Sequence, residues 1–155
     1  MCPKSRQQGF TYIEILVVLA VLMIVATLSS VSFQHMQSKA AREAGANELF
    51  NALNDARTKT LAHEQSSVYG VHVSSTTITR FMGSTFIPGA SGNKVYVFEH
   101  TMRATSTLFD ASGTTTVFTR LTGVPSVSGT IYVYDENGTG TSTIVLHKSG
   151  LVEYE

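Results

Sequence analysis

Every residue from Ile15 to Ala26 is apolar, and one carboxylate, Glu14, stands immediately before the run. A helix that is apolar on all sides cannot lie on the surface of a water-soluble domain, so lipid or other helices must cover it. An ionised glutamate costs on the order of 2 to 3 kcal/mol at the centre of a membrane helix and less near its end, so Glu14 needs a partner or an exit to water. Its position predicts a segment that assembles with copies of itself or with relatives.

About 20 residues rising 1.5 Å each are needed to cross a 30 Å hydrocarbon layer. Ile13 to Phe33 reaches that length, with Thr27, Ser29, Ser30 and Ser32 making its outer end polar. Helical serine and threonine can return their hydroxyls to the backbone one turn earlier and remain compatible with a span. No proline or glycine interrupts the chain from Phe10 to Ala44. Lys4 and Arg6 precede the run with no acid among the first nine residues. That bias keeps the N-terminus in the cytoplasm and sends the C-terminal part outward.

A secretory signal peptide is the rival reading, with its basic region at Lys4 and Arg6 and cleavage among small residues near Ser30. Glu14 at the start of the apolar region, the lack of an A-x-A site and the helical periodicity beyond Ser30 weigh against it. Eleven basic and eleven acidic side chains cancel, so no global field recruits nucleic acid. Removing residues 1–9 leaves nine basic against eleven acidic groups, a weakly acidic remainder. The single cysteine, Cys2, excludes an intrachain disulfide, and no neighbouring site marks it as a reactive thiol.

The string Lys4 to Ala26, a short basic leader ending in Gly9, then Phe10, then Glu14 within a hydrophobic helix, resembles the class III leader of type IV prepilins and type II secretion pseudopilins. The resemblance implies that a membrane aspartyl peptidase cuts between Gly9 and Phe10 and methylates the new amino terminus of Phe10. It also implies other pilin or pseudopilin subunits, an inner-membrane assembly platform and membrane lipid as partners. The expected location is a single pass through the cytoplasmic membrane, C-terminal domain outside, followed by a pilus or pseudopilus.

The physical logic is independent of that likeness. A cut after Gly9 removes Lys4 and Arg6 and creates an ammonium on Phe10, one helical turn before Glu14. Glu14 of one subunit could then select the register of its neighbour by pairing with that ammonium at low dielectric. The plainer role for Glu14 is to favour the positive end of its own helix, a contribution of about 0.3 to 1 kcal/mol.

Beyond Phe33 the apolar positions thin to a stripe of Met36, Ala40, Ala44, Leu49, Leu53, Ala56 and Leu61, with Phe50 beside it. These spacings predict one face of a continuing amphipathic helix that ends near His63. Lys39 with Glu43 and Asp55 with Lys59 form candidate i,i+4 pairs, and Gly45 weakens the helix locally. After Gln65 serine, threonine, valine, tyrosine and glycine dominate. Strands are expected at 68–73, 77–82, 95–100, 115–121, 130–134, 143–147 and 151–154. In 130–134, Ile131 and Val133 alternate with Thr130, Tyr132 and Tyr134, as in a sheet with one face on a core.

The expected fold is α+β and pilin-like: a long N-terminal helix, its first half membrane-spanning and its second amphipathic, packed against a small antiparallel sheet or sandwich. The expected segments are a leader at 1–9, an assembly helix at 10–35, an amphipathic helix at 36–63 and an exported β-domain at 64–155.

A second resemblance lies in Leu49 to Ala62, with Leu53, Ala56-Arg57 and Leu61-Ala62, followed by the valine-rich 68–73. This succession is similar to that of H-type minor pseudopilins and FimT-like minor pilins. Val31 stands where many members have proline, and a C-terminal cysteine pair is lacking.

Other chemistry is thin. Asp135, Asn137 and Thr139 resemble the opening of a calcium loop, but Leu146 occupies the acidic twelfth position, and a hairpin turn accounts for them. His35, His63, His72, His100 and His147 lack metal-ligand spacing, so neither metal nor cofactor is expected. No nucleophile triad or phosphate loop can be assembled, and the chain reads as a non-enzyme, itself the substrate of one. DNA capture, the alternative implied by the FimT likeness, would rest on Arg80, Lys94, Arg103, Arg120 and Lys148, which are scattered in sequence. An exported enzyme on an uncleaved anchor ranks last.

Overall fold

The computed structural model describes residues 9–98, 102–108, 114–135 and 140–155, the side chains of 28–35 and 106–108 excepted. The expected leader up to Gln8, His35's side chain, the tail of the third predicted strand with His100, and Asn137 with Thr139 lie outside the described residues. The chain divides into two compact units, residues 1–37 and 38–155. Helix α1, Tyr12–Leu61, contributes to both.

In the first unit the helix is apolar on every side from Ile15 to Ala26, and large side chains from Ile13 to Val25 are all exposed. The Thr27 hydroxyl donates to the Ile24 carbonyl at 2.8 Å, the backbone return expected of a helical threonine. Among the described residues no helix is long and apolar enough to cross a membrane. The Ile15–Ala26 run covers only about 18 Å of a 30 Å layer.

In the second unit the α1 residues Ala46, Leu49, Ala52, Leu53 and Ala56 are buried among strand side chains. The expected stripe is thus corrected. Met36, Ala40 and Ala44 are exposed, as is Leu61, and the buried face begins at Gly45 and Ala46. Gly45 has a packing role, because a Cβ there would stand 3.0 Å from the Phe98 ring and 3.6 Å from Val133. Lys39 and Glu43 pair at 3.8 Å. The expected Asp55–Lys59 pair is replaced: Asp55 accepts from Arg80 and Lys59 binds Glu64, each at 2.7 Å. The helix stops at Leu61, and His63 takes a left-handed backbone, φ 56°, at the turn into a short 3-10 segment, Glu64–Ser66.

Eight strands follow among the described residues: β1 Tyr69–Val73, β2 Thr77–Met82, β3 Lys94–Val97, β4 Met102–Leu108, β5 Thr115–Val117, β6 Gly129–Asp135, β7 Thr141–Leu146 and β8 Val152–Tyr154. They form two antiparallel sheets, ordered β3-β2-β1-β5 and β4-β6-β7-β8. This is the expected α+β, pilin-like combination of long helix and antiparallel sheet. β4 is absent from the sequence expectation. Arg103 and a Ser/Thr-rich continuation hide it, yet Met102 and Ala104 are buried, and all seven residues pair with β6. β5 ends at Val117 rather than at residue 121, because Thr119 to Gly123 turn back so that Phe118 can bridge Pro125. The alternation foreseen in β6 is present, with Ile131 and Val133 buried between half-buried neighbours.

Thr60 joins the helix end to the first sheet. Its hydroxyl donates to the Ala56 carbonyl at 2.8 Å and accepts the Tyr69 N–H at 2.9 Å. On the other face of that sheet the Phe81 ring lies over Gly70, where a Cβ would come within 2.5 Å of the ring and 2.6 Å of the Thr116 carbonyl oxygen. Phe86 stacks on His72 at 4.0 Å, and His72 Nδ1 lies 2.7 Å from the Thr115 hydroxyl.

Two outcomes follow from this packing. Gly70→Ala should lower stability by about 1 to 3 kcal/mol through overpacking, read as a shift in the denaturation midpoint. Burial pushes the His72 imidazole below its ordinary 6.5. The unfolded chain therefore binds the proton first on acidification, so stability is full above about pH 6.5 and declines as pH falls through the lowered folded value. His72→Asn should flatten that decline in melts taken from pH 7.5 to 5.

Candidate functional site at the start of the long helix

The sequence Thr11-Tyr12-Ile13-Glu14 has the S/T-x-x-E spacing of a capping box, in which two side chains satisfy each other's orphan backbone donors. The structure forms it. Thr11 N–H donates to Glu14 Oε2 at 3.4 Å, and Glu14 N–H faces Thr11 Oγ1 at the same distance. The Thr11 carbonyl meanwhile accepts from Glu14 and Ile15 N–H at 3.1 and 3.2 Å, opening the helical ladder. The side-chain distances are at the long limit of hydrogen bonding, so each is individually weak. Glu14 thus does support its own helix, and Thr11, which the sequence reading passed over, is its partner. The signal for it was the spacing itself.

The box engages one carboxylate oxygen and leaves Glu14 exposed, within reach of a cation from outside the chain. Phe10, Glu14 and Val18, spaced four apart, line with Ile15 and Leu19 a shallow hollow of about 260 Å³. Phe10 is 81% exposed. Among the described residues nothing lies within 4 Å of a Cβ added at Gly9, and its φ is outside the left-handed range. Neither crowding by the described residues nor backbone strain requires glycine there.

The remaining candidates lie in the second unit and are spread through it. Arg80 is held by Asp55, Arg120 donates to the Ser66 carbonyl, and Lys94 sits 4.9 Å over the Tyr96 ring. Arg103 donates to the Met102 carbonyl, and Lys148 is exposed in the turn before β8. His147 contacts Glu153 at 3.0 Å, while His63 shapes the helix exit. Asp135 is buried at the end of β6, and Leu146 is in the core.

A family model described as the prokaryotic N-terminal methylation motif matches residues 4–30. No curated protein and no solved structure matches the chain. The matched segment is a type IV prepilin-like class III leader with the start of its helix, and it contains Gly9, Phe10, Thr11 and Glu14.

Thr11→Ala should fray the first turn of α1 by about 1 kcal/mol. Amide exchange at residues 12–15 in detergent micelles should quicken roughly fivefold, with exchange in the β-strands unchanged.

Proposed function

We propose that the chain is a minor pilin or pseudopilin, a structural subunit rather than an enzyme. A prepilin peptidase cuts it between Gly9 and Phe10 and methylates Phe10, and residues 10–35 then build it into a type IV pilus or type II secretion pseudopilus. The methylation-motif match over residues 4–30 carries the reading, since such a leader implies both that processing and assembly with other pilins. Gly9 adds to it. Among the described residues nothing in the local conformation calls for glycine at this position, which fits a glycine read by the peptidase that recognises the leader.

The chemistry follows from two charges. Hydrolysis of the Gly9–Phe10 peptide leaves a carboxylate on the departing leader and an ammonium on Phe10, and the basic side chains Lys4 and Arg6 leave with the leader. The mature end is then one cation and, a turn later, one anion on a continuous apolar surface. Opposite charges attract strongly where water is excluded. A neighbour in register offers each charge a partner, and a slipped neighbour strands both in an apolar setting. The apolar surface itself, exposed on every side, calls for lipid before assembly and for other helices after it. We place the unassembled subunit in the cytoplasmic membrane, its N-terminus inside, next to the assembly platform. The minor, H-type or FimT-like assignment is supported by the succession from Leu49–Ala62 into the valine-bearing β1.

Intact mass of the membrane-extracted protein tests the processing. A chain beginning at Phe10 with one added methyl is expected, and an uncut chain or one beginning near Val31 overturns it. Glu14→Gln keeps an oxygen for the Thr11 N–H but removes the charge. It should abolish most incorporation into filaments, as should Glu14→Ala, while the melting of the second unit stays unchanged. Normal incorporation of Glu14→Gln would refute the pairing.

A further inference from the structure

Each sheet has two outer strands; the outer edge of β5 bonds to Ser126 and that of β4 to Ser75, and the two edges left, those of β3 and β8, match each other. In β3 the Phe98 N–H donates to the Thr76 carbonyl, and the β2–β3 register places Tyr96 opposite Ile78 and Lys94 opposite Arg80. Antiparallel pairs alternate, so the backbone groups of Lys94 and Tyr96 turn inward to β2, and those of Val95 and Val97 turn out to the edge. In β8 the Glu155 and Thr143 backbones exchange hydrogen bonds in both directions. Glu153, opposite Val145, therefore also faces β7, and Val152 and Tyr154 present their N–H and C=O groups outward. Among the described residues no strand pairs with either outer edge. Such an edge is a template for another strand.

We propose that β3 of one copy of this chain takes up β8 of a second copy in an antiparallel ladder, with Val95 opposite Tyr154 and Val97 opposite Val152. This register brings the outward backbone groups of both strands face to face. It also sets Lys94 opposite Glu155, a cross-strand pair of opposite charge. Lys94 has no carboxylate partner among the described residues, only the Tyr96 ring, and the Glu155 side chain has none either. Glu153 is already taken by His147, which leaves Glu155 as the available anion. A β3–β3 ladder would offer Lys94 no anion.

Apolar exposure agrees with the register. Val97 is 69% exposed, Val95 55% and Tyr154 44%. Val95 and Val97 lie on the face of their sheet turned away from the core, since Ile78 and Tyr96 occupy the inner one. Tyr154 shares the inner face of its own sheet with buried Val152. The cores of the two β-units therefore fall on opposite faces of the joined sheet and do not collide. The contact is head to tail, so each copy keeps one edge open for the next.

Cysteine cross-linking of the full chain in detergent extract tests this, whatever the state of the leader. Positions 94 and 155 would form a non-hydrogen-bonded pair with Cα atoms about 4.5 Å apart, within disulfide range. In a Cys2→Ser background, differently tagged chains bearing Lys94→Cys and Glu155→Cys should give a mixed disulfide dimer. Lys94→Cys with Glu153→Cys, two residues off register, should give several-fold less. Val97→Pro removes only an outward N–H and should abolish the dimer while the melt of the β-unit is preserved. Should that variant fail to fold, charge reversal decides. With the cysteines moved to Tyr96 and Glu153, Lys94→Glu should cut the yield up to about fivefold, and Glu155→Lys on the partner chain should restore it. A mixed dimer indifferent to register or charge, a Lys94→Cys homodimer, or no dimer at all would overturn the proposal.

Discussion

A carboxylate held at the margin of an uncovered apolar cylinder is the constraint from which the rest of the molecule follows. Ile15 to Ala26 offers nothing that water can solvate, and its side chains remain open to the surroundings. The hydrophobic effect alone would let such helices slide along or rotate about one another, because dispersion and burial carry no direction. In the proposed assembly Glu14 breaks that degeneracy. Its backbone neighbour Thr11 holds the carboxylate loosely, which anchors the first helical turn without consuming the charge. One side chain thereby serves a local task, opening the helix, and remains available for a task between molecules.

The second unit solves a different problem with the same helix. From Gly45 onward one face is buried among strand side chains of both sheets, with Gly45 itself against Phe98 and Val133. Polar groups on the flanks are satisfied in specific pairs, Asp55 with Arg80 and Thr60 with the Tyr69 backbone. These bonds set where the first sheet lies on this half of the helix. With no disulfide available, the core and these bonds hold the unit. Each antiparallel sheet ends in edge strands paired on one side only, a direct consequence of building two open sheets rather than a closed barrel.

Much of this was legible in the residues. The uninterrupted helix, the change to strand composition after Gln65 and the alternation in β6 are local signals, and local signals survive folding. The misreadings share one cause. Met36, Ala40 and Ala44 have the right spacing for a buried face but stay exposed, and burial starts only at Gly45 and Ala46. Asp55 has Lys59 four residues on, yet Arg80 from β2 reaches its carboxylate at 2.7 Å while Lys59 turns to Glu64. β4 carries arginine, serine and threonine, and only its seven-residue ladder with β6 makes it a strand.

At the amino end the same division holds. Gly9, Phe10 and Glu14 were singled out by their order and spacing, and the methylation-motif match over residues 4–30 contains all three. Thr11 was equally visible in its spacing to Glu14 and was passed over. Residue order alone determined the apolar helix, its charged margin, the helix-to-strand transition and the absence of covalent cross-links, all properties of neighbours along the chain. Tertiary structure decided which helical face is covered, which charges meet, that the strands divide into two sheets and which strands are left at the edges. Those outcomes depend on contacts between residues far apart in sequence, and no local pattern encodes the distance between them.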